Sequence, residues 1–387
     1  MPQTGAPALT LYRLIILNIL NHSLYAGSRV AVALYAIHLK SSPLTVGVLM
    51  ALYAALPMFF SISAGRLTDR VGSRGPMMVG SGTMIVGASL PFLSQDLLGL
   101  AAAGVLIGCG FMFYQVAIQH VIGFIGSPEE RPANFSIMAL GYSVSAFIGP
   151  MLVGLGIDGY GHAATFLLLS ILPVTPLLIL AANKLELPRP KHQRAPQAGR
   201  SVVDLLRNPQ LRTVYISSGL ISIGWDLYLF VAPIYGSHLG LSATMIGVVM
   251  GSFAAATFTV RLLLPLVGRR IRPYQLITAA LLLSGATFFL FPLFTSMAPL
   301  ITLSFVLGLG LGCAQPMVMA MIHDTAPEGR AGEAVGVRAM LISGSQTFTP
   351  IFFGAVGSAV GMIPVFWAIA AALTAGGLFA RKQSVLR

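Results

Sequence analysis

The chain has 387 residues, of which 56% are hydrophobic and only 9% charged, and it carries a formal charge of +12. A water-soluble domain of this size cannot cover its surface with so few charges, so that class is excluded. The positive charge does not point to nucleic acid either, because the basic residues fall in short loops between long apolar segments.

A membrane-spanning helix needs about 20 mostly apolar residues. Twelve such segments are predicted, near 12–38, 43–64, 76–94, 97–125, 133–156, 163–182, 212–236, 243–266, 274–294, 298–322, 333–357 and 362–380. The first is too long for a cleaved leader and has no small-residue cleavage site after it, so it is read as retained. Within it Asn18, His22, Tyr25 and Arg29 recur at i, i+4, i+7 and i+11, which places them on one narrow helical stripe. Polar groups are costly inside a bilayer, so this stripe is expected to face a bundle interior or a wet cavity. Arg29 lies too deep to snorkel easily.

Between the second and third segments the chain reads Gly65-Arg66-Leu67-Thr68-Asp69-Arg70-Val71-Gly72-Ser73-Arg74. Its glycines allow a sharp turn and close backbone approach. The fourth segment has no charge between Asp96 and Glu129, only Gln115, Gln119 and His120. Gln115 and Gln119 are neutral donors and acceptors suited to hydroxyl, amide or carboxylate groups, or to helix–helix hydrogen bonds. His120 points about 140° around the helix from Gln115 and is left out of the candidate site. The fifth segment carries Gly141, Gly149-Pro150 and Gly154.

The chain then becomes polar and proline-bearing, with a short amphipathic piece at 201–207. The domain reading is a six-helix unit over 1–182, a linker over 183–210 acting as a tether, and a second six-helix unit over 211–387. In the seventh segment Ser218, Ser222, Trp225, Asp226 and Tyr228 cluster, and Asp226 is the one carboxylate expected near mid-membrane. Gln315 in the tenth segment repeats Gln115. Trp225, Tyr228, Phe348 and Phe352 are read as an aromatic wall or as plain packing. Arg261 is expected to snorkel, and His323-Asp324 to sit at the interface. Cys109 and Cys313 are read as small buried hydrophobes. No disulfide framework, metal spacing, serine elbow or phosphate loop is present, so no enzyme activity, cofactor or metal is expected.

The two halves repeat at an offset of 200. Tyr35, His38, Ser42, Gly47, Met50, Gly108, Gly110, Gln115, Ser143, Ser145, Pro150 and Gly154 all recur at that offset without a slip in register. The loops are asymmetric in charge. Arg66, Arg70, Arg74, Arg131, the run from Lys184 to Arg212, Arg269, Arg270, Arg272, Arg330 and Arg381 fall on one side, and essentially Lys40 alone on the other. The positive-inside rule then places both termini and the linker in the cytoplasm.

The Gly65–Arg74 loop, the twelve segments and the two halves resemble the major facilitator superfamily. Two departures show: Ser73 stands where a basic residue is usual, and the second-half loop Gly268-Arg269-Arg270-Ile271-Arg272 has Arg269 in the place of Asp69. The resemblance implies an all-α membrane protein of two pseudo-symmetric six-helix bundles, working by alternating access. It implies a cytoplasmic latch between Asp69 and Arg338, with Gly65, Arg70, Gly72 and Arg74; the alternative is that the arginines anchor to lipid headgroups. Gly149-Pro150 is similar to a motif of the antiporters in that family, and the missing fourth-helix arginine departs from its drug antiporters. The resemblance puts Gln115 and Gln315 on the path. By the repeat register Asp226 corresponds to Ala26, one turn from Arg29, so an Arg29–Asp226 pair is expected, either coupling protons to substrate or standing as a static ion pair. The expected activity is proton-coupled export of small amphipathic compounds from a bacterial-type inner membrane, by a functional monomer. The alternative is a symporter or exchanger of organic anions. Partners are a small-molecule substrate, protons and the lipid bilayer.

Overall fold

The computed structural model describes residues 6–125, 130–183, 185, 187, 203–267, 273–327 and 331–385. Most of the linker and the loop Gly268–Arg272 lie outside the described residues, as does the side chain of Asp69.

All regular structure among the described residues is helical. In order the helices are α1 (Ala6–His38), α2 (Pro43–Val71), α3 (Arg74–Leu93), α4 (Leu97–Ile122), α5 (Arg131–Tyr160), α6 (His162–Ser170), α7 (Val174–Ala181), α8 (Val203–Arg207), α9 (Pro209–His238), α10 (Ala243–Val267), α11 (Pro273–Leu290), α12 (Met297–Thr325), α13 (Ala331–Val360) and α14 (Met362–Val385). Eleven spans are long and apolar enough to cross a membrane, with α6 and α7 forming one of them, His162–Ala181. The twelfth expected segment is α1, 33 residues long, whose mean hydropathy is lowered by the polar stripe. The protein is an integral membrane protein.

The chain forms two compact units. The first holds Met1–Ser41, Leu52–Ala195 and Ser242–Gly247; the second holds Ser42–Ala51, Pro196–Leu241 and Val248–Arg387. Each unit thus takes in the opening turns of a helix whose remainder belongs to the other. In the first, α5 backs onto the start of α10: a Cβ on Gly247 would lie 2.8 Å from the Pro150 carbonyl oxygen. In the second, α13 backs onto the start of α2, and a Cβ on Gly47 would lie only 2.1 Å from the Pro350 oxygen. Backbones this close admit only glycine, and small residues are how helices associate where lipid removes the hydrophobic drive. The repeat of glycine and proline at the offset of 200 is therefore a repeat of one joint.

The first unit's buried core takes Leu14 from α1, Met77 from α3, Tyr114 and Val121 from α4, Met138 from α5 and Leu180 from α7. The second stacks Phe291 on Phe366 with ring centroids 5.4 Å apart, beside Tyr235.

Candidate transport site

In the first unit the α1 stripe meets α4 and α5. The His22 ring sits 4.8 Å from Tyr142, 5.4 Å from Phe111 and 5.9 Å from Tyr25, centroid to centroid. Its Nδ1 is hydrogen-bonded to the Ser145 Oγ at 2.5 Å. The carboxamides of Asn18 and Gln119 face the Tyr142 hydroxyl. Asn18 is fully buried, and neither atom of its amide makes a hydrogen bond of ordinary geometry. Arg29 is 6% exposed, and its buried Nε has no partner. Gln115 is half-buried, one turn from Phe111 and from Gln119 along α4. The close passage of α1 against α5 that brings these groups together runs through Gly149, where a Cβ would lie 2.7 Å from the Gly27 nitrogen. Pro150 follows at the joint with α10.

In the second unit the corresponding region is built from α9, α12 and α13. The Ser345 hydroxyl donates to Asp226 Oδ2 at 2.7 Å, and the Thr349 hydroxyl lies 3.3 Å from Ser345. Asp226 is 2% exposed and Ser222 is 4% exposed. Arg338 donates from Nε to the Ser218 hydroxyl at 3.2 Å and from Nη2 to Gln315 Oε1 at 2.9 Å. Its guanidinium thus acts inside its own unit, on two residues of the expected path. Trp225 is half-buried, with the Arg261 guanidinium 5.9 Å from its ring centroid, a cation–π distance. Tyr228 is fully buried and its hydroxyl donates toward Ser304 Oγ, 3.0 Å away, and the Val249 carbonyl, 3.3 Å away. Phe348 and Phe352 are largely exposed, so with Tyr228 buried the four aromatics do not form one wall.

The signature loop follows α2. Gly72 closes it with φ +82, a left-handed turn that favours glycine, and its N–H donates to the Thr68 carbonyl at 2.9 Å. Gly65 has no neighbour closer than 4.0 Å to a would-be Cβ, and Arg70 is exposed. Arg74 donates to the carbonyls of Leu180 and Leu185, clipping the start of α3 to the end of α7. Ser73, the departure from the family pattern, is hydrogen-bonded to His120 Nδ1 at 3.2 Å.

Sequence reasoning missed Tyr142, Ser145, Phe111 and Ser345 as site residues. The two serines were visible as a repeat pair, and their shared job is the signal: each bonds a titratable side chain on the first long helix of its own half, His22 or Asp226. These two positions are 204 residues apart, one helical turn off the repeat.

The chain matches the family model of the Major Facilitator Superfamily over residues 14–297 and again over 214–384. Multidrug resistance protein MdtG of Citrobacter koseri is 26% identical over 297 residues, covering 71% of this chain and 72% of that protein. An uncharacterized MFS-type transporter of Bacillus subtilis, YceJ, is 22% identical over 310 residues, covering 79% of this chain and 78% of its own length. Among solved structures, a POT family transporter in complex with a thioalcohol-conjugated peptide superposes with a TM-score of 0.80 at 17% identity, covering 97% of this chain and 96% of that one. That likeness shows the fold. Eleven apolar spans among the described residues, a repeated helix joint and the family match over most of the chain lead to one conclusion: this protein belongs to the major facilitator superfamily of membrane transporters.

Proposed function

We propose that the chain is a secondary active transporter that exports small amphipathic compounds by alternating access, with protons as the driving ion. The observation that carries this reading is Asp226, a carboxylate 2% exposed at mid-helix in α9 and held by the Ser345 hydroxyl. A buried carboxylate in a membrane helix is expensive and is kept for a purpose, and a proton is the simplest cargo that relieves it. The MdtG relatives support export of drug-like compounds. In this reading Asn18, His22, Tyr25, Gln115, Gln119, Ser222, Trp225 and Gln315 contact substrate, and Tyr228 braces α9 behind them. The signature loop with Gly65, Asp69, Arg70, Gly72 and Arg74, together with Arg338, gates the path, and Gly149-Pro150 takes part as the joint.

The six-helix units span 1–182 and 211–387, joined by a tether, in a bacterial-type inner membrane with both termini cytoplasmic. The protein works as a monomer. The second reading, transport of organic anions, is favoured by the unpartnered Nε of buried Arg29.

Proteoliposomes decide between them. Export driven by an imposed pH gradient should be seen for a lipophilic cation in the first reading and for an organic anion in the second. In either case Asp226→Asn should abolish the dependence on the gradient. Full gradient-driven flux in Asp226→Asn removes the coupling role.

A further inference from the structure

The ring cluster in the first unit has a buried back and an open front. Phe111 is 6% exposed and stacks on Tyr25 with centroids 4.1 Å apart and planes 18° off parallel. His22, Tyr25 and Tyr142 are only half-buried, so part of each side chain remains accessible. Ser145 fixes the imidazole from behind. Flat, fixed π-faces beside polar side chains suit a flat aromatic guest, because offset stacking adds to what area burial alone provides.

The polar flank says what that guest carries. Arg29 follows Tyr25 by one turn, about 6 Å along the helix axis. Its buried Nε lacks an acceptor, a deficit that an anionic oxygen would remove. A buried donor of this kind is rare in folded proteins.

The cluster is not the repeat's own packing. Positions 22, 25, 111 and 142 are His, Tyr, Phe and Tyr, and their equivalents 222, 225, 311 and 342 are Ser, Trp, Leu and Ile. The second unit folds with one ring where the first has four, so the joint between helices does not require them.

We propose that this face is a subsite for planar aromatic carboxylates, the ring lying on Tyr25 and Tyr142 beside His22 and the carboxylate reaching Arg29. The inference deepens the second, organic-anion reading and rests on it for movement of the ligand, though not for binding. Calorimetric titration of the purified full chain with 2-naphthoate and with its ring-saturated counterpart, decahydronaphthalene-2-carboxylate, tests it. The two acids share charge and approximate shape and differ in their π-face. The naphthoate should bind roughly twofold to tenfold more tightly. Arg29→Gln should weaken both acids, Tyr142→Leu should remove the preference, and Tyr142→Phe should keep it. Tyr25→Leu serves as the second ring deletion, and a thermal melt of each variant separates lost binding from lost fold. Equal affinity for the two acids, no binding of either, or an undiminished preference in both folded leucine variants overturns the proposal. Selective binding with no naphthoate flux in proteoliposomes leaves the subsite standing and sinks the organic-anion reading instead.

Discussion

The two halves meet the same structural need with different chemistry at positions 200 residues apart. Near the end of α5, the Asp158 carboxylate accepts from the backbone N–H groups of Ala243 at 3.1 Å and Thr244 at 2.8 Å, clasping the start of α10. The equivalent residue near the end of α13 is Ser358, whose hydroxyl accepts from the Leu44 N–H at 2.9 Å, one bond at the start of α2. At the start of α4, Asp96 accepts from the Gly99 N–H at 2.8 Å, whereas its equivalent Ser296 opens α12 with no side-chain cap. The interior is distributed the other way. Asp226 and Arg338 of the second half stand where the first has Ala26 and Met138. Steric joints are thus repeated tightly, while charge has been reassigned: Asp96 and Asp158 of the first half sit at helix starts, where the dipole favours them, leaving Arg29 as its buried charge, and Asp226 and Arg338 of the second are held by hydroxyls and an amide.

The largest test of this contrast is steric. Gly47→Ala places a Cβ 2.1 Å from the Pro350 oxygen, and Gly247→Ala places one 2.8 Å from that of Pro150. The first should destabilise by about 3 kcal/mol and the second by about 1 kcal/mol, on the scale of overpacked cores. Thermal melts of the purified variants measure the gap, and equal shifts would break the idea that one joint is tighter.

Next come the paired serines. Ser345→Ala removes a donor from a buried carboxylate and should cost about 2 kcal/mol; Ser145→Ala removes the bond to an imidazole and should cost about 1 kcal/mol. The same melts compare them.

The clasps are exposed and weaker. Asp158→Ala should cost about 1 kcal/mol, more than Ser358→Ala, and Asp158→Ser should bring the two joints level. High salt should shrink the Asp158 effect and leave that of Ser358 unchanged.

The smallest effect is at Asp96. The Gly99 amide, and then the Ser94 hydroxyl, hold its carboxyl below the usual carboxylate range. A depressed folded-state value means that the contribution is present above the unfolded value of about 3.9 and is lost as pH falls through the folded one. Asp96→Asn should therefore lower the melting temperature slightly at neutral pH and flatten the acid limb, so that its profile meets the parent's once pH has fallen below the folded value.

The fold was legible because bilayer physics leaves few options: long apolar runs become helices, and a fixed offset between matching residues becomes two similar bundles. The break between α6 and α7 was not read, although Pro173 and Pro176 mark it. In the candidate site, helical periodicity found the α1 stripe of Asn18, His22, Tyr25 and Arg29, because that information is local to one helix. Tyr142 and Ser145 escaped because their relevance depends on which face of α5 meets α1, and a helix with small residues on several sides does not announce that face. Arg338 was read as a partner for Asp69, whose side chain lies outside the described residues; its hydrogen bonds to Ser218 and Gln315, which were not read, depend on side-chain reach that spacing does not encode.

The borrowed helix starts also impose a schedule on synthesis. The Asp158 clasp joins residues 85 positions apart, so at a translation rate of 5–20 residues per second the end of α5 waits on the order of 4–17 seconds for its partner. The Ser358 bond spans 314 positions, and the start of α2 waits on the order of a minute or less, until almost the whole chain has been made. During that interval a notch shaped for a bare glycine backbone stays unfilled. The nascent first half therefore has a defined vulnerable window that closes when residues 242–247 arrive, and the second half cannot finish before the ribosome is nearly done.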